Sequence, residues 1–372
     1  MSVTLVLCLL GWVLGWWAFG RPRRVDDLPP ASQLLPPLTI VIPARNEAAS
    51  LGSLLADLRD DLALSGSRIV VVDDHSADDT AAIASRFEGV EVLRAPALPT
   101  GWAGKPWACH SGVVATAPEA GTGDVVVFLA ADVRVRPGAL PRLVQDHAAG
   151  GGLLSVQPRH ETRRWYEQLS AVFNVVAMMG VGSGDPRGAT GAFGPLLVTA
   201  RADYLAVGGH GAVRDQVVED LALATRYREA GHPLSALDGG SQVRFRMYPE
   251  GLGQLVEGWT KNFAVGAGAT PPLRLLSIVV WVTAATAAAA SSVDVIRGTL
   301  PAISAWTLYL LFVGQLLVMF RQVGRFRLLT SLLFPIPLAF FFAVFARSLW
   351  MTHVRRSVTW RGRSISTARS RS

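Results

Sequence analysis

Four runs without one charged side chain, residues 2 to 19, 275 to 293, 300 to 320 and 328 to 346, constrain this chain more than any other feature. Each comes close to the roughly 20 apolar residues with which an α-helix crosses about 30 Å of hydrocarbon. A wholly soluble fold would have to bury all four. Residues 1 to 20 are therefore expected to form an N-terminal transmembrane anchor, and 273 to 350 two or three C-terminal spans, followed by a basic tail over 351 to 372. The first run lacks the positive charge that opens a signal peptide. It ends in "GWWAFGRPRR", which offers aromatic and basic interface anchors rather than a small-residue cleavage site, so it is expected to stay uncleaved. Residues 21 to 272 remain as one water-facing domain, of a size that a single hydrophobic core serves.

Orientation follows from arginine. Arg21, Arg23 and Arg24 directly follow the first run, so the positive-inside rule places the domain in the cytoplasm, on a multi-pass protein of the inner membrane. Three further spans would leave the tail outside, yet "HVRRSVTWRGRSISTARSRS" carries six arginines and no acid. The conflict resolves if one C-terminal run does not cross; the Ala/Ser-rich run 275 to 293 and the run 328 to 346, interrupted by "FPIP", are the candidates. The net charge of +7 is mostly juxtamembrane arginine and points to anionic lipid headgroups as partners. Nucleic acid is excluded as a partner, because the domain has no basic stripe with interleaved aromatics. The two cysteines, Cys8 and Cys109, cannot build a disulfide framework, as suits a cytoplasmic domain.

Within that domain "LTIVIPA" (38 to 44), "RIVVVDD" (68 to 74), "VEVLRAP" (90 to 96) and "DVVVFLAAD" (124 to 132) are continuous apolar runs, the pattern of strands buried on both faces. Helical patterns such as "EAASLGSLLADLRDDLAL" and "ADDTAAIASRF" lie between them. Alternation of this kind predicts an α/β fold with a mostly parallel sheet covered by helices on both faces. In such sheets ligands bind beyond the carboxyl ends of the strands. The polar residues closing the strands are Arg45-Asn46-Glu47, Asp73-Asp74 and Asp132, and the segment turns basic after Asp132. No G-x-G-x-x-G or G-x-x-x-x-G-K-[ST] follows a strand, which disfavours dinucleotide enzymes and P-loop nucleotidases. The glycine-rich "GVGSGDPRG" (180 to 188) follows a helical pattern and is expected to be a flexible loop. A rim of acids beside a diphosphate makes sense with a divalent cation, or with hydrogen bonding to a base and a sugar.

The ordered set "VIPARNE", "VVVDDHSADDT", "GWAGKPWA", "FLAADV", "GAFGPLLVTARADYLAVGG", "VVEDLALATRYREAG" and "GWTKN" resembles membrane-bound glycosyltransferases of family 2, which have the A-type nucleotide-sugar fold. The likeness is greatest to the branch associated with hopanoid and carotenoid-acid glycosylation, whose members also end near a W-[KR]-G-R sequence, here "TWRGR" at 359 to 363. It covers about residues 38 to 265 and the flanking membrane layout.

The resemblance implies roles residue by residue. Pro43, Asn46 and Glu47 match the first nucleotide-contacting turn, although Asn and Glu at a helix start are also ordinary capping residues. Asp73 and Asp74 match the pair that contacts the base and ribose, whereas Asp78 and Asp79 are expected to cap the next helix. The family's Asp-x-Asp reads Ala130-Ala131-Asp132 here, so its first acid is missing. The last acid is the one that usually ligates the metal. Mg2+ or Mn2+ can be held by Asp132 alone together with phosphate oxygens and water, because such ions keep much of their hydration.

Of 35 basic residues only two are lysine, Lys105 in "GWAGKPW" and Lys261 in "GWTKN". A compact ammonium suits a phosphate, and Lys105 is expected to bind the donor. Trp102 belongs to the same motif and is expected on the donor or acceptor side. Glu219-Asp220 opens an amphipathic helix, where acids also complement the helix dipole. The resemblance makes this the catalytic pair, with Asp220 the general base that takes the acceptor proton; in-line attack then inverts the anomeric centre. Trp259, Lys261 and Asn262 stand where processive relatives have Gln-x-x-Arg-Trp, a sequence absent here, which implies transfer of one sugar. Trp259 is expected near the acceptor or as the anchor of an interfacial helix. The expected function is inverting transfer of a single sugar from a nucleotide-sugar donor, UDP-linked, to a membrane lipid such as a hopanoid or other terpenoid. A processive polysaccharide synthase and an inactive scaffold that kept the fold are the alternatives.

Overall fold

The computed structural model describes residues 3–32, 34–117, 123–185, 188–216, 218–296, 301–352, 357–360 and 363–366. Contacts divide the chain into two compact units. The stretch 21 to 272, expected as one block, contributes to both.

The first unit holds Arg23–Arg159 and Gly188–Arg246. Its strands are β1 (Leu38–Ala44), β2 (Arg68–Asp73), β3 (Val90–Arg94), β4 (Val125–Leu129), β5 (Val133–Val135) and β6 (Leu153–Gln157), with β7 (Arg159–His160) where this part of the unit ends. After the interruption come β8 (Leu196–Ala200), β9 (Leu234–Asp238) and β10 (Val243–Phe245). The main sheet has the order β3-β2-β1-β4-β8-β6-β9. Strands β1 to β4 are parallel neighbours and β9 is parallel to β6, while β8 runs antiparallel between β4 and β6. The mostly parallel sheet expected from the continuous apolar runs is therefore present, with one reversed strand. Helix α4 (Gly104–Thr116) lies on it through Ala108, Cys109 and Val113, which join Val41, Val72, Val126 and Phe128 in one buried cluster. Gly112 permits that approach, since a Cβ there would stand 2.6 Å from Val41 Cγ1.

Two helices are shorter than their sequence patterns suggest. The pattern over 47 to 64 yields α2 (Leu51–Arg59) and a separate 3-10 turn, Leu62–Leu64, because Asp61 stops the helix. Its carboxylate accepts the Ala63 N–H at 3.3 Å and, from the next layer, the Gly138 N–H at 2.7 Å. The pattern over 77 to 87 yields only α3 (Thr80–Ala84), with Asp78 accepting both the backbone N–H and the hydroxyl of Thr80. Asp78 thus caps this helix as expected, while the side chain of Asp79, at the N-cap position, makes no capping bond. The basic turn beyond Asp132 is structural in part, since Arg134 binds both carboxylate oxygens of Asp57.

The second unit holds Met1–Pro22, His160–Arg187 and Met247–Ser372. Its helices are α1 (Val3–Phe19), α6 (Ala171–Val181), α9 (Leu252–Ala269), α10 (Pro272–Ile296), α11 (Ala302–Val323), α12 (Leu328–Leu332) and α13 (Pro335–Trp350), with a hairpin of β11 (Ser357–Trp360) and β12 (Arg363–Ser366). Two stretches, Pro272–Ser291 and Ala302–Val323, are long and apolar enough to cross a membrane, and Leu5–Phe19 and Pro335–Trp350 are shorter apolar helices. Of the two runs suspected of not crossing, 275 to 293 is thus a long helix. The run 328 to 346 breaks between Leu332 and Pro335, where Pro335 and Pro337 remove backbone donors. The glycine-rich stretch 180 to 188 is pinned in its described part, against the expectation of a flexible loop. Buried Arg274 pairs with Asp185 and donates to the carbonyls of Ala18 and Met179, each at 3.2 Å. Residues 186 and 187, and residues 361 and 362 of "TWRGR", lie outside the described residues.

Helices α1, α10 and α11 are joined by polar contacts within their apolar surroundings. Trp281 Nε1 donates to Gln315 Oε1 at 2.9 Å, and Gln315 Nε2 donates to the Trp12 carbonyl at 2.8 Å. Gly11 and Gly15, four residues apart, let α1 approach α10: Cβ atoms there would stand 2.3 Å from Ala284 Cβ and 2.2 Å from Trp281 Cδ1. Gly15→Leu is accordingly expected to destabilise the helix packing by about 1–3 kcal/mol. Thermal unfolding of the detergent-solubilised protein checks this, and an unchanged midpoint would refute the contact.

Candidate active site

Strands β1, β2 and β4 are parallel in register, so their carboxyl ends share one edge of the sheet. There the chain leaves β1 through Pro43 and Ala44 and turns at Asn46, whose φ of 53° is left-handed. Two loops interlock at this edge. Asn46 N–H donates to Ser76 Oγ at 3.0 Å, Ala77 N–H donates to Asn46 Oδ1 at 2.8 Å, and Glu47 N–H donates to Thr80 Oγ1 at 2.8 Å. Glu47 Oε2 also accepts the Ser50 hydroxyl at 2.8 Å. Asn46 and Glu47 therefore tie the two loops together, but neither side chain caps α2, whose N-cap position is Ser50. Asp73 and Asp74 are buried at the end of β2. Asp73 Oδ1 accepts the Ser76 N–H at 3.2 Å, and Asp74 pairs with Arg45, whose Nη1 is 3.4 Å from Oδ2. Arg45 closes a strand in the sequence, but only the fold shows that it faces Asp74.

A second cluster centres on Gly194, in the segment leading into β8. The Gly194 N–H donates to Asp220 Oδ2 at 2.6 Å, and its carbonyl accepts Lys105 Nζ at 3.2 Å. Lys105 also lies 2.6 Å from Glu219 Oε1. Glu219 and Asp220 open α8 (Glu219–Glu229), and Lys105 is in the first turn of α4. A Cβ at Gly194 would stand 2.8 Å from Asp220 Oδ2 and 3.0 Å from Lys105 Nζ, so a side chain there would displace both groups. The neighbouring Pro195 carbonyl accepts the Ala130 N–H at 2.8 Å. Thus the turn that carries Asp132 is tied to the segment that carries Gly194. Sequence spacing of 105, 132, 194 and 220 could not announce this meeting.

Burial raises the Asp220 carboxyl, the Glu219 charge raises it further, and it is pushed up to about 6 although Lys105 and the N–H groups of Leu221 and Gly194 oppose the shift. Burial also works against the Lys105 ammonium, but Glu219 and Asp220 outweigh it and hold its pKa above the ordinary lysine value. Solvent reaching the 40% exposed Lys105 side chain screens this attraction; the direction follows from two carboxylates facing one cation. Lys105, expected to bind the donor, is thus engaged by the acidic pair, which makes it an orienting group for Glu219 as well as a candidate for phosphate.

Trp102 was expected from its motif, and the fold adds two partners. Its ring lies 4.9 Å from that of Trp107 and 5.0 Å from that of His110, which stacks at 5.8 Å on Trp107. All three are half-buried. Burial lowers the His110 pKa. Trp107 and His110 were legible only through i, i+3 spacing on α4.

Asp132 is half-buried on the turn that Val133 N–H closes onto the Ala130 carbonyl at 3.1 Å. Among the described residues no three His, Cys, Asp or Glu side chains converge as a metal cage. An all-protein site does not fit the described residues. A hard divalent ion that takes one carboxylate and finds its other ligands on phosphate and water does fit an Asp132 carboxylate at this edge.

Trp259, Lys261 and Asn262 belong to the second unit, on α9. Trp259 is only 3% exposed: its ring stacks on Phe173 at 4.8 Å and its Nε1 donates to Ser170 Oγ at 3.0 Å. This corrects both expectations for it, because an indole enclosed by Phe173, Phe263 and Tyr248 has no face left for an acceptor or a lipid headgroup. Asn262 Nδ2 donates to Tyr248 Oη at 3.4 Å, and Lys261 is half-buried.

Residues 39–171 match the family model "Glycosyl transferase family 2". The 4,4'-diaponeurosporenoate glycosyltransferase of Staphylococcus aureus strain MRSA252 is 34% identical over 337 residues, 88% of each chain, and that of strain NCTC 8325 / PS 47 matches equally. Among solved structures, the mannosyltransferase PcManGT from Pyrobaculum calidifontis, in complex with GDP-Man and Mn2+, superimposes with a TM-score of 0.55 at 18% identity, covering 94% of this chain and 96% of that one. It shares the fold. With a relative this similar along nearly the whole chain, and an acid-rimmed parallel sheet edge, the chain belongs to the family 2 glycosyltransferases and is a glycosyltransferase.

Proposed function

We propose that this enzyme transfers one sugar, with inversion, from a UDP-linked donor to an apolar terpenoid-type lipid carrying an acid group, at the cytoplasmic face of the inner membrane. The observation that carries this reading is the junction at Gly194, which gathers Lys105, Glu219, Asp220 and the Asp132 turn at the carboxyl edge of the sheet. The acid acceptor is suggested by the named substrate of the 34% identical relative. A hopanoid is the runner-up acceptor.

In this reading Asp73, Asp74 and the Asn46 turn hold the base and ribose, with Pro43 and Glu47 shaping the loop. Asp132 would hold a Mg2+ or Mn2+ ion, which when bound neutralises charge on the diphosphate leaving group. Lys105 keeps the acidic pair oriented and adds positive charge on the same side. Asp220, ionised at neutral pH, takes the acceptor O–H proton as the oxygen attacks the anomeric carbon and the diphosphate departs. An apolar acid within a membrane keeps its proton to higher pH than in water, since desolvation disfavours the anion, so a base has a proton to remove. The apolar helices of the second unit moor the enzyme beside an acceptor that stays in the bilayer, and the juxtamembrane arginines favour anionic headgroups.

Washed membranes containing the enzyme should release UDP from a UDP-sugar only when Mg2+ or Mn2+ is supplied, with one hexose of mass added to a lipid. Asp132→Ala should lose at least about tenfold of the metal-dependent rate. Metal-independent release, or a polymeric product, would refute the proposal.

A further inference from the structure

The fourth apolar run, α12 with α13, meets the same group of partners at both of its ends. At its start Gln168 Oε1, on the 3-10 turn Trp165–Ser170, accepts the Arg327 N–H at 2.9 Å and the Thr330 hydroxyl at 2.6 Å. At its end Ser348 Oγ donates to the Thr260 carbonyl of α9 at 2.9 Å. These partners are themselves joined, because Trp259 Nε1 donates to Ser170 Oγ at 3.0 Å. A straight helix would hold Thr330 and Ser348 about 27 Å apart, close to the thickness of the hydrocarbon layer. The break between Leu332 and Pro335 instead lets the chain turn back, and Tyr309 Oη of α11 donates to the Leu332 carbonyl at 2.6 Å, satisfying a group near the break.

Helix α9 does not cross either. It begins just after Met247, where the chain enters this unit, and ends just before α10, whose Arg274 donates to the Ala18 carbonyl at the end of α1. Both ends therefore adjoin points where the chain passes to the first unit, and the charged Glu257 and Lys261 between them suit an interface rather than hydrocarbon. Helix α13 runs antiparallel along α9, with Phe341 against Phe263 at 5.6 Å and Ser348 against Thr260. One face of α13, Pro337, Leu338, Phe341, Val344 and Ser348, is buried on protein. The opposite face shows Ile336, Ala339, Phe342, Ala343, Ala346 and Trp350, with Arg347 as its one charged side chain. A helix facing water would be polar there.

We propose that α12 and α13 form a re-entrant wedge, which enters one leaflet of the bilayer and leaves on the side it entered. The face from Ile336 to Trp350 lies against acyl chains, with Arg347 and Trp350 reaching the headgroups. The inference rests on the reading that the second unit is moored in the bilayer. Helices α10 and α11 then cross and return, the wedge adds no crossing, and the tail with its six arginines stays on the side where α10 begins. That resolves the charge conflict which a third C-terminal span would create.

Single cysteines in the full chain test this with a membrane-impermeant maleimide, applied to spheroplasts and to inverted vesicles. The native Cys8 and Cys109 are buried, and the parent chain measures their background. Ser366→Cys and Ser357→Cys in the tail should label in the same preparation as Glu250→Cys, which precedes α9, while Ala302→Cys, which opens α11, labels in the other. Tail cysteines that label together with Ala302→Cys would overturn the wedge and make the run a span. Labelling of Ala302→Cys together with Glu250→Cys would instead overturn the mooring itself, and the wedge with it, so the two failures are told apart. A fluorophore on Ile336→Cys in nanodiscs should be quenched by lipids carrying a nitroxide on the acyl chain, and one on Glu250→Cys should not. Equal quenching at the two positions would overturn the lipid-facing assignment.

Discussion

Asp220→Asn is expected to lower kcat by about 10²–10⁴-fold while UDP still binds. The carboxylate is pushed up to about 6 by burial and by Glu219, close to the pH at which a base is most effective. For the wild type, kcat/KM should fall as pH drops through about 6, because the protonated carboxyl cannot accept the acceptor's proton. The acid limb should vanish in the variant. Because Asp220 Oδ2 also accepts the Gly194 N–H, the amide must be shown to leave the fold intact, for which retained UDP affinity serves. Should Asp220→Asn cost less than about tenfold with the limb unchanged, the acceptor arrives already ionised, and Asp220 acts only by holding Gly194 and Lys105.

The second large effect is on stability. Arg201 and Asp124 form a buried ion pair, Nε to Oδ2 at 2.6 Å. Arg201 also donates to the Val113 carbonyl at 2.9 Å, to Thr116 Oγ1 at 3.0 Å and to Thr39 Oγ1 at 3.2 Å. One side chain thus ties β1, α4, the start of β4 and α7 (Arg201–Ala206) together. Arg201→Met leaves a buried carboxylate without its cation, and is expected to cost about 3–5 kcal/mol. A domain of this size should then melt lower by on the order of 10 °C. The double variant Arg201→Met/Asp124→Leu should recover most of the loss, since it removes both charges. A single variant that melts like the wild type would refute the role of this network.

How much of this was legible along the chain differs from element to element. The apolar run 38 to 44 coincides with β1 residue for residue, and the acids that close β1, β2 and β4 do lie at one sheet edge. Strand order and the reversed direction of β8 were not legible, because pairing is set between residues far apart in the chain. The fourth apolar run reads as one span by composition, yet its prolines split it into α12 and α13. Trp259 illustrates the opposite error: an aromatic beside a motif reads as a ligand contact until its ring is seen enclosed by Phe173 and Tyr248.

Local chemistry along the chain was enough to determine the α/β class, the apolar helices and which acids border the strands, since periodicity and residue type are properties of neighbours in sequence. Only the tertiary structure decided that Gly194 brings Lys105, Asp132's turn and Asp220 into one cluster, and that Lys105 is bound to Glu219. Those relations arise from close packing between distant segments, and no short-range pattern encodes a distance across a folded core.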